Sequence, residues 1–187
     1  MPRILLVVLL LTITPLAARD DAFVPDAGPP TPKSVQRAPD WSEGRFRLPP
    51  WPDPADLVAF PIDGPDRGFR YAIDARNLVI GDDDVVRYTL VVESASGARN
   101  VSFEGIRCTA SGRYQVYAYG VGGVFKPLSD SDWRPIPKDG TEQHRYDLWH
   151  AYLCSHPPFA PRRRSEILHA LRHGRPSGLD SAGFMAD

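Results

Sequence analysis

The chain has 187 residues, and 22 Lys+Arg against 23 Asp+Glu leave it near neutrality. That balance argues against a nucleic-acid partner, which needs a concentrated basic surface. The length allows one ordinary domain with extensions, and the 20 prolines fall mostly outside the strand-like middle, so part of the chain is unsuited to a packed core.

Residues 1–18 read as a secretory signal peptide. Met1-Pro2-Arg3 carries one positive charge, Ile4 to Leu11 is an unbroken apolar run, and Leu16-Ala17-Ala18 offers small residues for cleavage. An uncleaved anchor needs roughly 20 apolar residues, and this run is shorter. No cysteine follows it to accept a lipid, so the expectation is an exported chain with no stable membrane anchor after cleavage. In an oxidising compartment the two cysteines, Cys108 and Cys154, read as one structural disulfide. A redox role lacks a Cys-x-x-Cys spacing.

Residues 19–56 are Pro-rich, acidic and poor in aliphatics, which predicts a disordered tether. Trp41 and Trp51 interrupt it, either as anchors for a partner or, more commonly for large aromatics, by folding back on their own domain. An α+β domain is expected over 57–160. Phe69, Tyr71 and Ile73 alternate with Arg70, Ala72 and Asp74 as in a half-buried strand, and Asn77 to Ile80 is a short apolar piece. Gly81-Asp82-Asp83-Asp84 is a turn whose carboxylates lack the spaced ligand pattern of a calcium loop.

Val85 to Glu93 is the clearest strand, with Val86, Tyr88, Leu90 and Val92 on one face. After the Ser94–Gly97 turn comes Asn100 to Cys108. Pairing Leu90 with Val101 and Tyr88 with Phe103 sets apolar against apolar, and the same register places Thr89 opposite Ser102 and Arg87 opposite Glu104 as an outer-face ion pair. With Val101 and Phe103 inward, Ile106 and Cys108 would point outward, so a bulge is expected at Gly105. Tyr114 to Tyr119 is a further strand, Gly120 to Gly123 a turn, and Val124 to Pro127 a short edge strand. Trp133 falls in a polar loop. Thr141 is a candidate N-cap for the main helix, Tyr146 to Cys154, whose Leu148, Trp149, Tyr152 and Leu153 form one apolar stripe. Residues 161–174 read as a short basic amphipathic helix and 175–187 as a disordered tail. The architecture expected is an antiparallel β-meander with one main helix packed on one face, clipped by the disulfide.

Asp84-Val85-Val86-Arg87-Tyr88, the run from Gly97 to Cys108, and Tyr152-Leu153-Cys154 resemble the cryptic neisserial protein-like family, exported proteins of Gram-negative bacteria. The likeness covers Phe60 to Cys154. It implies a periplasmic location and a paired cysteine framework, and carries over no catalytic or ligand-binding residue.

The residues themselves offer little chemistry. His144 and His150 are six apart and diverge around a regular helix; His169 and His173 are four apart but lack a third ligand for zinc. No cofactor is expected, and no serine occupies a Gly-x-Ser-x-Gly elbow. Arg87, Glu104, Arg107, Tyr117 and Tyr119 are the candidate ligand contacts. The Arg162–Arg164 cluster could touch anionic lipid or cell-wall polymer, or form a solvated face. The favoured function is a non-catalytic periplasmic module binding an envelope component or protein partner. The alternative is a small hydrolase with a site near Glu104 and His144 or His150, which a pocket holding a histidine beside a carboxylate would favour.

Overall fold

The computed structural model describes residues 41–63, 68–138 and 140–174. The signal peptide read over 1–18, the first part of the tether (19–40) and the tail (175–187) lie outside them. The strands are β1 (Leu57–Phe60), β2 (Phe69–Asp74), β3 (Val79–Ile80), β4 (Val85–Ser94), β5 (Arg99–Arg107), β6 (Arg113–Val121), β7 (Val124–Pro127), β8 (Arg134–Pro135), β9 (Cys154–Ser155) and β10 (Ala160–Pro161). Helix α1 (Gln143–Asp147) runs directly into a π-helical turn, Leu148–Leu153, and α2 spans Arg164–His173. The main sheet is antiparallel in the order β1-β2-β4-β5-β6-β7, with β3 beside β4 and β8 beside β6. This is the α+β meander expected, joined by the Cys108–Cys154 disulfide with 5.6 Å between Cα atoms.

Both faces of the sheet are covered. On one, Tyr71, Ile73, Val86, Tyr88, Leu90 and Ile106 pack against Leu148, Tyr152 and Leu153 of the helical segment and Ile167 and Leu171 of α2. The apolar stripe of the main helix therefore lies where expected, but the helix starts earlier, at Gln143, and Cys154 belongs to β9. Glu142 precedes it with no side-chain capping bond; the side chain of the expected cap, Thr141, is outside the described residues. Helix α2 enters after Pro161 and ends at Gly174, where φ is 93°. It buries Ile167, Leu168, Ala170 and Leu171, as an amphipathic helix should.

On the other face lie Phe103, Tyr117 and Ala118, covered by residues 41–54. This is where the tether reading departs from the structure. Trp41 stacks edge-on against Trp133 at 5.5 Å, Phe46 packs on Tyr117 at 4.3 Å, and Trp51 on Phe125 at 5.5 Å. The prolines that deny this stretch a helix leave it extended, and its aromatics gain enough burial to hold it as a strap.

The β4–β5 register is shifted by one residue from the expected one. Val91 pairs with Val101, Leu90 with Ser102, Thr89 with Phe103, Tyr88 with Glu104 and Arg87 with Gly105. A two-faced sheet explains this: Val101 and Phe103 belong to the strap face with Val91 and Thr89, while Ser102, Glu104, Ile106 and Cys108 share the helix face. No phase change is then needed, and the β4–β5 ladder is regular through Gly105. The irregularity lies instead in β5–β6, between Phe103 and Glu104. Gly105 has a different reason to be glycine. A Cβ there would come within 2.5 Å of the Tyr117 hydroxyl.

Candidate functional site

Two polar clusters lie back to back across β4 and β5. On the strap face Arg87, 4% exposed, is opposite Gly105 and holds Asp83 at 2.6 Å and Glu43 at 2.8 Å. Glu43 also accepts hydrogen bonds from the Tyr117 hydroxyl at 2.5 Å and from Trp133 Nε1 at 3.3 Å. Phe46 lies over the Arg87 guanidinium at 4.7 Å. Burial alone would raise the Asp83 pKa, but bonds from Arg87 and from the Gly44 and Val85 amides hold it below its usual value. Asp83 thus anchors a turn and a strap, which is the structural use of the three-aspartate run.

On the helix face Glu104 has no exposure at all. The expected ion pair with Arg87 is absent because the two side chains leave opposite faces of the sheet. Arg145, from α1, clamps Glu104 with Nε at 2.8 Å and Nη2 at 2.7 Å. Ser102 Oγ donates at 2.6 Å and the Tyr88 hydroxyl at 3.4 Å. Desolvation pushes the Glu104 pKa up, yet the guanidinium and the Ser102 bond bring it below its ordinary value. The same pairing raises Arg145, and burial beside this carboxylate raises Tyr88 well above its ordinary value.

Arg145 also reaches Glu142 at 3.0 Å and stacks over Tyr114 at 4.4 Å. Tyr114 in turn donates to both Glu142 oxygens, at 3.0 and 2.8 Å. These groups line one end of a cavity of about 130 Å³, whose other walls are Val116, Tyr119, Leu128, Asp130, Ser131, Asp132 and Arg134. The loop carrying Leu128 to Trp133 is tied to β6 by Gln115 Nε2 to the Ser131 carbonyl and Arg113 Nη2 to the Trp133 carbonyl, each at 2.7 Å. The lining holds three carboxylates and two guanidiniums, and one guanidinium is already neutralised by Glu104.

Of the candidate contacts, Tyr119 faces this cavity. Glu104 lies beneath it, behind Arg145. Arg87 and Tyr117 are under the strap, and Arg107 stacks on Trp41 at 3.9 Å. His144 is buried and stacked on Tyr71 at 5.1 Å, while His150 and His156 stack on one another at 5.3 Å, so neither His144 nor His150 lines the cavity. His169 and His173 have ring centres 4.6 Å apart, with no group of three metal-ligating side chains among the described residues. Of the Arg162–Arg164 cluster, Arg162 donates to the Cys154 carbonyl and Arg164 reaches the carbonyls of Ala75 and Leu78, while Arg163 pairs with Glu166 on the solvated surface.

Sequence reading missed Arg145, Glu142 and Glu43. Arg145 falls one residue before the helix as drawn from the apolar stripe. Glu43 falls in a stretch read by its prolines, although Trp41-x-Glu43-x-x-Phe46 carries aromatics on either side of a carboxylate. Among the described residues no helix is long and apolar enough to cross a membrane. The family model described as CNP1-like matches residues 36–172, a span that takes in the strap and α2 as well as the sheet. No curated protein and no solved structure matches the chain.

Proposed function

The chain belongs to the CNP1-like family, and on that premise we propose a non-catalytic periplasmic binding module whose ligand is a small polar envelope component bearing a positive charge. One observation carries this reading: with Arg145 paired to Glu104 and Glu142, the carboxylates of Asp130 and Asp132 outnumber the one remaining guanidinium, Arg134, around a small cavity that the Tyr119 ring also lines. Carboxylates with aromatic walls suit a protonated amine, by direct pairing and by attraction to the ring faces. The volume suits a group the size of a monosaccharide or an amino acid. Export is supported by the leader-like N-terminus and by the disulfide.

A hydrolytic role fits less well. Glu104 has both oxygens occupied and an acidity strengthened by Arg145, the reverse of what a general acid or base near neutral pH requires. Calorimetric titration with glucosamine, putrescine and, as an acidic control, galacturonate tests the proposal. Binding of an amine that weakens at least about tenfold in Asp132→Asn, as loss of a charge-assisted contact implies, is the expected result. Equal heats for galacturonate, or no binding of either amine, would discard it.

A further inference from the structure

Four of the ten large apolar side chains left exposed among the described residues, Leu48, Trp51, Val121 and Val124, belong to the β6–β7 hairpin and the strap beside it. The β6–β7 hairpin turns through Gly122-Gly123, flanked by Val121 and Val124, which are 59% and 51% exposed. Beside it, Trp51 packs against Gly120 and, tilted by 47°, against Phe125, and stays 41% exposed; Leu48, three residues earlier in the strap, is 37% exposed. The apolar groups therefore flank a glycine tip rather than line a groove, with the strap residues on one face of the sheet and the valines on the other. Exposed cations accompany them: Arg45 and Arg47 alternate with Phe46 and Leu48, and Lys126 follows Phe125. None of the three makes an ion pair within the described residues. Of the strap carboxylates, Glu43 is held by Arg87 and Asp53 is turned to the Ala55 amide at 2.9 Å.

We infer that this end of the molecule docks reversibly on an anionic phospholipid surface. A hairpin tip carrying aliphatics beside a tryptophan, with Lys126 on the hairpin and Arg47 in the adjoining strap, matches the headgroup region, where aromatic and apolar side chains enter the acyl boundary and cations meet lipid phosphates. A second copy adding strands is opposed by the edge itself, since Lys126 and Pro127 blunt β7 against pairing. Too few groups are involved for permanent anchoring, so attachment is salt-sensitive. This surface is independent of the ligand proposed for the cavity.

Sedimentation of the exported protein with vesicles of phosphatidylcholine alone, and of phosphatidylcholine with an equal part of phosphatidylglycerol, decides the matter. Binding is expected to the mixed vesicles, with a blue shift of tryptophan emission, and to weaken with salt. Removing cations in Arg47→Gln and Lys126→Gln should weaken it about fivefold each. Val121→Asp combined with Val124→Ser should abolish it with little change in the urea midpoint, because both residues are exposed and no like-charge pair is created across the hairpin. Failure to bind mixed vesicles, wild-type binding by the aspartate variant, or a lipid-free dimer that this variant dissociates would each overturn the inference.

Discussion

Glu104 is a fully buried charge, and its cost is offset only while Arg145 and Ser102 hold it. Removing one partner of such a pair costs about 3–5 kcal/mol, far more than the pair itself contributes to stability. Glu104→Gln should therefore lower the unfolding free energy by roughly 3 kcal/mol in urea at pH 7. Because the folded pKa of Glu104 lies below its ordinary value of 4.5, the unfolded chain takes up the proton first as pH falls. The contribution is complete above that ordinary value and is lost progressively below it. Urea midpoints at pH 7 and in the acid range should diverge less in Glu104→Gln than in the wild type. An equal acid sensitivity would place the acid limit elsewhere. Across the sheet, Gly105→Ala tests close packing instead of charge. Its new methyl would meet the Tyr117 hydroxyl and Val85, and overpacking of this kind costs about 1–3 kcal/mol.

The strap is the element whose role was least visible in the sequence. Proline content reports what a segment cannot form, and says nothing of a face waiting for it. Alternation gave the strands and the β4–β5 hairpin correctly, but not the register, because the assumption of one wet face assigned every polar group outward. With Glu104 buried against Arg145 and Arg87 buried against Glu43, polarity no longer marks the solvent side, and a one-residue shift satisfies both faces. Glu43→Ala should accordingly behave as a core substitution. Arg87 keeps Asp83, but it loses its second carboxylate, and Tyr117 and Trp133 lose an acceptor. The expected loss is about 1–3 kcal/mol, with little dependence on salt. Glu93→Ala, at the solvated Arg70 and Arg99 pairs, should cost far less than this, and less still in high salt. Similar losses in both variants would mean that the strap rests on its aromatics alone.

At the scale of the whole molecule, the candidate site is an encounter between distant segments. Tyr114 and Glu142 are 28 residues apart in the chain, Glu104 and Arg145 are 41 apart, and no local pattern announces either meeting. Cysteine arithmetic, by contrast, needs no geometry, which is why the Cys108–Cys154 link was legible. That link joins the end of β5 to the end of the helical segment that carries Arg145, so it also fixes the lid over Glu104. Closing a loop with a sequence separation of 46 stabilises by about 4 kcal/mol in the chain-entropy account. Cys108→Ser with Cys154→Ser should lose roughly that amount, and reductant should lower the wild-type urea midpoint to the level of the double variant while leaving the variant itself unmoved. Since the lid carries the partner of a buried carboxylate, the double variant should also unfold at a higher pH on acid titration. If it instead matched the wild type in both urea and acid, packing of Leu148, Tyr152 and Leu153 on the sheet would hold the lid without the bridge.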